Sequence, residues 1–139
     1  MIHIEHINLI VKDMTATIKF YQTALPHWFI RGKGSGDWYG HPRNWVHFGD
    51  EYQYITFNDN GTGENRDLTG HDLGLAHFGL VCNDVKSIID RLNQAGYAER
   101  VAYSCDEYRA NVYFIDPNGF EVEFVQYMSD QPKQRNQYD

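Results

Sequence analysis

Three residues of this sequence have the chemistry and the placement of a metal-binding set: His6, His77 and Glu123. The two histidines stand at the same position of a segment that occurs twice in the chain. Seven residues after each histidine stands an aspartate, Asp13 or Asp84, and the next residue is apolar and opens a helical pattern. Two imidazoles and one carboxylate bind a divalent metal and leave coordination positions open for a substrate. The pattern therefore predicts a catalytic metal centre.

The third member of the set lies in the last predicted strand, where Glu121, Glu123 and Val125 share one face. Burying a carboxylate without a partner is costly, and a metal ion is one common partner. For Glu121 we expect an exposed position instead. For either histidine, the alternative is an ordinary polar residue of a strand. Four of the other five histidines have no partner pattern, and we expect them on the surface: His3, His27, His41 and His71.

The segments that must position these residues form two similar modules, residues 1–58 and 75–128, within one domain of residues 1–128. Alternating and helical patterns predict the order strand, helix, strand, strand, strand in each module. Asp13 and Asp84 are the predicted helix N-caps, and Pro26 and Gly96 follow the helices. In the first module the strands are predicted at 4–11, 28–31, 45–48 and 52–57. In the second they are predicted at 75–82, 97–102, 111–115 and 120–127.

The remaining segments lack periodicity. Residues 59–74 are polar and are predicted to link the modules, and residues 129–139 form a polar tail that we expect to fray. Residues 32–43 combine glycines with aromatic residues, which predicts a mobile loop, either a lid or a disordered connection. Within that loop and just after it, Trp38, Tyr39 and Trp45 would wall a pocket that accepts aromatic ligands.

Composition excludes several classes of function. The 139-residue chain carries a net charge of −7, which argues against nucleic-acid and anionic membrane partners. No apolar run approaches the roughly 18 residues that span a bilayer, and the N-terminus has no secretory pattern. The only two cysteines, Cys82 and Cys105, are typical of reduced thiols, so we expect a cytoplasmic protein.

The sequence resembles the vicinal oxygen chelate superfamily, which includes glyoxalase I, extradiol dioxygenases, fosfomycin-resistance and bleomycin-resistance proteins. The resemblance is carried by residues 6–9, by Ala76-His77-Phe78-Gly79-Leu80 and by the segment 113–123. It implies an α+β fold in which two paired βαβββ modules form a curled mixed sheet around a metal-binding cleft. It also implies His6, His77 and Glu123 as the metal ligands, and a homodimer.

Departures from the family pattern narrow the expected reaction. In glyoxalase I a fourth ligand comes from the last strand of the first module, but here the inward position falls on Tyr54 or Thr56. Only a one-residue slip would present Gln53, and it would reverse every side chain of the strand. Tyr113 matches a tyrosine near the metal of extradiol enzymes, with a plain hairpin aromatic as the alternative. The basic residues that hold a phosphonate in fosfomycin enzymes are not evident.

We therefore expect a metal-dependent enzyme that chelates a small substrate through two adjacent oxygens. Among its possible reactions, we place a dioxygenase-like reaction with Fe²⁺ first. Mn²⁺, Ni²⁺ or Zn²⁺ would instead suit a glyoxalase-like lyase or isomerase, or a fosfomycin-type thiol transferase. Tyr113, Tyr54 and His47 are the candidate catalytic residues, with a structural role as the alternative for His47. A metal-free drug-binding protein of the bleomycin-resistance type is the alternative from another class. The sequence leaves open the metal, the substrate, the reaction class and the existence of a fourth protein ligand. It also leaves open whether the site lies within one chain or is shared across a dimer.

Overall fold

In the computed structural model, which describes residues 1–138, the chain is α+β and forms eight β-strands and three helices. It folds as two compact units, Met1–Glu64 and Asn65–Asp139. Unit 1 contains β1 (His6–Ile10), α1 (Met14–Ala24), β2 (Phe29–Trp38), β3 (His41–Gly49) and β4 (Tyr54–Asn58). Unit 2 contains β5 (Phe78–Val81), α2 (Val85–Gln94), β6 (Glu99–Cys105), β7 (Arg109–Ile115), β8 (Glu121–Tyr127) and α3 (Pro132–Arg135).

Each unit has one four-stranded mixed sheet with the same strand order. The orders are β1-β4-β3-β2 and β5-β8-β7-β6. The first and last strands of each unit pair in parallel, and the other neighbours pair antiparallel. The prediction of an α+β chain built from two βαβββ modules is therefore confirmed, with a separate four-stranded sheet in each module.

Both long helices begin at the predicted aspartates. Asp13 Oδ1 accepts a hydrogen bond from the Ala16 amide at 2.9 Å, and Asp84 Oδ1 accepts one from the Ser87 amide at 3.1 Å. These side chains satisfy amides of the first turn that have no partner within the helix. Gly96 follows α2 with a φ of +94°, the left-handed conformation that glycine adopts without a steric penalty.

Aromatic side chains fill the apolar core of unit 1. Phe20 and Tyr21 of α1 are fully buried, and the Tyr21 ring lies 5.3 Å from that of Phe57 in β4. Trp28 packs against Phe48 of β3 at 5.9 Å between ring centroids. Because this core covers one face of the sheet, the side chains of the opposite face, His6 among them, remain available for a site.

In unit 2, apolar residues of α2 cover the sheet in the same way. Val85, Ile88 and Leu92 recur at helical spacing and are buried. Phe114 of β7 and Phe124 of β8 pack with their ring centroids 6.4 Å apart, and both are fully buried. The opposite side of β7 and β8 carries the polar residues that are described below.

The predicted loop over residues 32–43 is wrong. β2 continues to Trp38 and pairs antiparallel with β3, with Tyr39 and Gly40 between the two strands. Glycine is compatible with this pairing because Gly34 lies against the ring of Trp45, where an added Cβ would come within 2.7 Å of a ring carbon. The glycines that indicate a loop in the sequence are therefore part of a strand.

The C-terminal hairpin and tail complete unit 2. Asp116 Oδ1 accepts hydrogen bonds from the amides of Asn118 and Phe120, which fixes the predicted turn between β7 and β8. The tail, predicted to fray, contains α3 and places Arg135 over the ring of Tyr127 at 4.2 Å. No helix within residues 1–138 is long and apolar enough to cross a membrane.

Candidate functional site

His77 of unit 2 lies between two carboxylates. It immediately precedes β5, and its Nε2 is 3.4 Å from Glu123 Oε2. Its Nδ1 is 3.8 Å from Glu121 Oε1. About two-fifths of the His77 side chain is exposed, so the ring has one side open to a ligand. The predicted pairing of His77 with Glu123 on neighbouring elements is thus present in the structure.

The two oxygens of Glu123 have different environments. Oε1 accepts a hydrogen bond from Arg109 Nη2 at 2.6 Å and another from Asn111 Nδ2 at 2.8 Å. Oε2 is left facing His77. Burial alone would raise the pKa of the Glu123 carboxyl, but the donors Asn111 and Arg109 hold it below its usual value. Glu123 is therefore a buried carboxylate with one oxygen fixed and the other available.

Tyr113 lies opposite Glu123 in the β7–β8 register and contacts both members of the pair. Its ring meets the ring of His77 edge-on at 5.3 Å, and its phenol lies close enough to the Glu123 carboxylate to be affected by its charge. Burial and then the negative charge of Glu123 raise the pKa of the Tyr113 phenol, so it stays protonated at neutral pH. A protonated phenol at this position can donate a hydrogen bond to an oxygen of a bound substrate.

The expectation that Glu121 is exposed is wrong. Its side chain is 13% exposed, and Oε2 lies 2.5 Å from Arg100 Nε of β6. β6 begins at Glu99, two residues later than predicted, and brings this arginine beside the last strand. Because Arg100 compensates its charge, Glu121 can lie beside His77 with its Oε1 3.8 Å from Nδ1.

His6 of unit 1 has a comparable carboxylate partner. Its Nδ1 is 2.8 Å from Glu5 Oε1, and its ring stacks on Tyr54 at 4.9 Å with an interplanar angle of 9°. Tyr54 donates its hydroxyl to the same Glu5 oxygen at 3.2 Å. The two hydrogen bonds lower the pKa of Glu5, while burial and the Glu5 contact raise the pKa of Tyr54. These contacts hold the His6 ring and leave its Nε2 without a protein partner among the described residues.

His47 belongs to an aromatic stack in unit 1. Its ring centroid lies 4.6 Å from that of Tyr54 and 4.9 Å from that of Trp45. Burial lowers the pKa of His47, and the positive charges of Arg31 and His6 lower it further. The imidazole is therefore neutral at pH 7 and can accept a proton, which is the state that the candidate role of a base requires.

A cavity of about 370 Å³ lies on this face of the unit 1 sheet. It is lined by His6, Asn8, Arg43, Trp45, His47, Tyr54, Thr56 and Asn58. Of the three aromatic residues expected to wall a pocket, Trp45 lines this cavity, whereas Tyr39 is 91% exposed at the β2–β3 turn. Trp38 packs instead against the guanidinium of Arg43 at 5.0 Å.

The position of a fourth ligand in unit 1 is occupied by a residue that binds metals poorly. Thr56 faces the cavity in the register expected for β4, next to Asn8 and His47 on the neighbouring strands. Gln53 precedes β4, is exposed, and donates its amide to Asp50. The strand has not slipped, so Thr56 and not Gln53 occupies the inward position of β4.

The donors fit a divalent metal in chemistry but are not grouped as a complete site. At metal–ligand bonds of about 2.1 Å and a tetrahedral angle, two donors lie roughly 3.4 Å apart, as His77 Nε2 and Glu123 Oε2 do. Among residues 1–138, three or more His, Cys, Asp or Glu side chains are not grouped as a metal site. The imidazole and carboxylate of unit 2 and the carboxylate-held imidazole of His6 are nevertheless suitable ligands.

Sequence reasoning missed the side chains that surround the candidate ligands. Arg109 and Asn111 on β7 hold Glu123, and Arg100 on β6 holds Glu121. Arg109 and Asn111 alternate along the strand with Tyr113, so their shared face could have been found by extending the strand from 111 back to 109. The four histidines expected on the surface are exposed: His3, His27, His41 and His71.

Comparison with known structures shows a close likeness of fold at low sequence identity. A glyoxylase/bleomycin resistance protein/dioxygenase domain from Frankia sp. EAN1pec matches with a TM-score of 0.76 and 20% identity, covering 94% of this chain and 96% of that one. A genomically encoded fosfomycin resistance protein from Listeria monocytogenes matches with a TM-score of 0.69 and 18% identity, covering 98% of this chain and 100% of that one. A trypanothione-dependent glyoxalase I from Leishmania major matches with a TM-score of 0.66 and 20% identity, covering 91% of this chain and 87% of that one.

Sequence comparison gives the family. A comparison with curated proteins found no match. Residues 3–124, which contain both candidate histidines, Glu123 and the whole βαβββ repeat up to the middle of β8, match one family model. The chain therefore belongs to the Glyoxalase/Bleomycin resistance protein/Dioxygenase superfamily.

Proposed function

We propose that this protein is a metal-dependent enzyme that binds a small substrate through two adjacent oxygens. The proposed ligands are the residues predicted from the sequence, His6, His77 and Glu123. The observation that carries the proposal is the contact of His77 Nε2 with Glu123 Oε2 at 3.4 Å, in which the carboxylate is held by further side chains. A divalent metal, when bound, would act as a Lewis acid toward the substrate oxygens.

The chain's own residues would supply orientation and proton control. Arg109 and Asn111 fix Oε1 of Glu123, so that Oε2 keeps one direction. Glu121 and Glu5 face the Nδ1 atoms of His77 and His6 and orient the two rings. Protonated Tyr113, in contact with both His77 and Glu123, would donate a hydrogen bond to an oxygen of the substrate.

A dioxygenase-like reaction with Fe²⁺ comes first among the reactions that this ligand set allows. Two imidazoles and one carboxylate are the ligands that non-haem iron oxygenases use. Thr56 at the fourth-ligand position supports this order, because glyoxalase-like lyase or isomerase chemistry would use a Glu or Gln there. Mn²⁺, Ni²⁺ or Zn²⁺ with lyase, isomerase or thiol-transferase chemistry stands second. A homodimer in the cytoplasm remains part of the proposal.

A metal-free binding protein is the second candidate. It is favoured by the cavity of about 370 Å³ in unit 1, whose lining combines Trp45, Tyr54 and several imidazole and amide groups with a single cation. Such a cavity can hold a flat molecule without a metal. The held orientation of the Glu123 carboxylate toward His77 is not needed by a pure binder, and for this reason we place the enzyme first.

The test is the metal content of protein purified without chelators or an affinity tag of histidines. We expect about one equivalent of a divalent metal in the wild type and its loss in His77→Ala. His71→Ala, which removes an exposed histidine of the polar segment, is the matched control and should keep the metal. Iron would be followed by oxygen-uptake assays with catechols, and nickel, zinc or manganese by lyase and isomerase assays. Protein that neither contains nor takes up metal would overturn the proposal and leave the binding protein.

A further inference from the structure

The two units place an arginine at the same position of their sheets. In unit 1, His47 of β3 pairs with Thr56 of β4. In unit 2, Tyr113 of β7 pairs with Glu123 of β8. Four residues before His47 and Tyr113, on the same strands and the same faces, stand Arg43 and Arg109. The repeat therefore keeps the arginine in both units but has a carboxylate on the neighbouring strand within its reach only in unit 2.

Arg43 and Arg109 differ in what neutralises them. Arg109 Nη2 donates to Glu123 Oε1 at 2.6 Å. The residue of unit 1 that corresponds to Glu123 is Thr56, which has no charge. Among residues 1–138, Arg43 Nε and Nη1 are buried without a hydrogen-bond partner, and the guanidinium lies over the ring of Trp38 at 5.0 Å. A buried donor without an acceptor is unfavourable, and a missing ligand is one of its ordinary explanations.

The surroundings of Arg43 suit an anion. The residues that line the cavity with it include no aspartate or glutamate. Glu5, which borders the aromatic stack, already accepts from His6 and Tyr54, and Asp59, which follows β4, accepts twice from Asn44. Asn8 and Asn58, joined at 2.6 Å, supply further neutral polar groups at the cavity wall.

The shape of the cavity indicates the rest of the ligand. The rings of Trp45, His47 and Tyr54 follow one another at 4.9 Å and 4.6 Å along one wall. A wall of aromatic rings favours a flat molecule, and about 370 Å³ is the size of site that takes a small metabolite. A flat ligand on this wall with an anionic group on Arg43 would use both features.

We propose that the cavity of unit 1 binds a small planar carboxylate, whose carboxylate takes on Arg43 the place that Glu123 takes on Arg109. Guanidinium and carboxylate groups match in charge and in planar hydrogen-bonding geometry. Identifying this carboxylate with the substrate rests on the function proposed above. The substrate class would then be a planar organic acid in which the carboxylate is separate from the two adjacent oxygens.

The experiment compares benzoate with its neutral amide, benzamide, by tryptophan fluorescence and calorimetric titration of the full chain. The buffer contains a chelator, so metal binding does not enter the measurement. For the wild type we expect benzoate to bind at least about tenfold more tightly than benzamide, as charge-assisted pairing predicts. In Arg43→Met the preference should fall to near one. Lys33→Met removes a cation of the neighbouring strand β2 and should keep the full preference.

Arg43→Lys guards against a variant that fails to fold, because it keeps the charge and should retain part of the preference. Equal binding of benzoate and benzamide by the wild type would overturn the inference, and so would an Arg43→Met protein, folded by circular dichroism, that still prefers benzoate. The result is separable from that of the metal experiment. A preference for benzoate in a protein that binds no metal would support the anion site while contradicting the proposed enzyme.

Discussion

At the scale of single residues, Glu123 shows how one side chain can be both buried and available. Its side chain is 8% exposed, and its two oxygens have separate partners. The donors Arg109 and Asn111 compensate the cost of burial at one oxygen, and His77 meets the second. The carboxylate is therefore kept charged and fixed in direction without depending on the proposed metal.

We expect Arg109→Met to lower the free energy of unfolding at pH 7 by about 2–3 kcal/mol, because it leaves a buried carboxylate without its cation. The pKa of Glu123 lies below its usual value in the native state, so its contribution to stability is present above the unfolded pKa of about 4.3 and disappears as the pH falls. The difference between wild type and variant should accordingly narrow at pH 3. Urea denaturation at both pH values measures it.

Arg100→Met is the matched control for this prediction. Arg100 pairs with Glu121, but both groups are more exposed than Arg109 and Glu123. Solvent screens the more exposed of two ion pairs more strongly, so we expect Arg100→Met to show the smaller loss, about 1 kcal/mol. Equal losses in Arg100→Met and Arg109→Met would contradict the view that the Glu123 pair is the buried, stabilising one.

The lowered pKa of His47 predicts a stability that depends on pH. The unfolded chain protonates this histidine near its ordinary pKa of about 6.5, whereas the lowered pKa of the native state leaves less of it protonated at that pH. The unfolded state thus binds more protons, and stability falls as the pH drops below about 6.5. His47→Gln removes this contribution, so the variant should lose less stability than the wild type between about pH 7.5 and 5. A loss of the same size in both proteins would count against a neutral His47 in the native state.

At the scale of elements, the sequence predicts helix starts and turns well where hydrogen bonds between residues close in sequence determine them. Asp13 and Asp84 cap their helices, and the turn at 116–119 forms as expected, because capping and turn bonds are local. The β2–β3 hairpin was not predictable in this way. The glycines between 32 and 40 indicate a loop, but their strand conformation depends on cross-strand partners such as Trp45, which no local pattern contains.

Gly34→Ala tests this account of the hairpin. The added Cβ would come within 2.7 Å of the Trp45 ring, so the ring or the strand must shift. Overpacking of this kind is destabilising, and we expect a loss of about 1–3 kcal/mol in chemical denaturation, with a changed tryptophan fluorescence. Gly36→Ala, on the same strand with no atom within 4 Å of its added Cβ, should be close to neutral. Two variants of equal stability would contradict the packing of Trp45 on β2.

At the scale of the whole molecule, the chain is a repeat whose two copies share a frame and differ in chemistry. Both have the same strand order and the same helix caps. The site positions differ: His47 and Thr56 in unit 1 correspond to Tyr113 and Glu123 in unit 2. The frame was predictable because hydrophobic periodicity records it. The side-chain contacts around Glu123 and Arg43 were not predictable, because long side chains reach across neighbouring strands and the register of those strands must be known first.

The repeat predicts that Thr56→Glu would supply Arg43 with the carboxylate that Arg109 already has. The new charge would compete with a bound carboxylate, so benzoate should bind at least about tenfold more weakly than to Thr56→Gln, the neutral control of similar size. The new glutamate should also interact energetically with the arginine. In a double-mutant cycle, Arg43→Met should lower the free energy of unfolding of the Thr56→Glu protein by about 1–2 kcal/mol more than that of the Thr56→Gln protein. A coupling near zero would show that Arg43 and position 56 do not correspond to Arg109 and Glu123. A coupling of the expected size would mean that unit 1 has kept the arginine of the repeat for a ligand that takes the place of the glutamate.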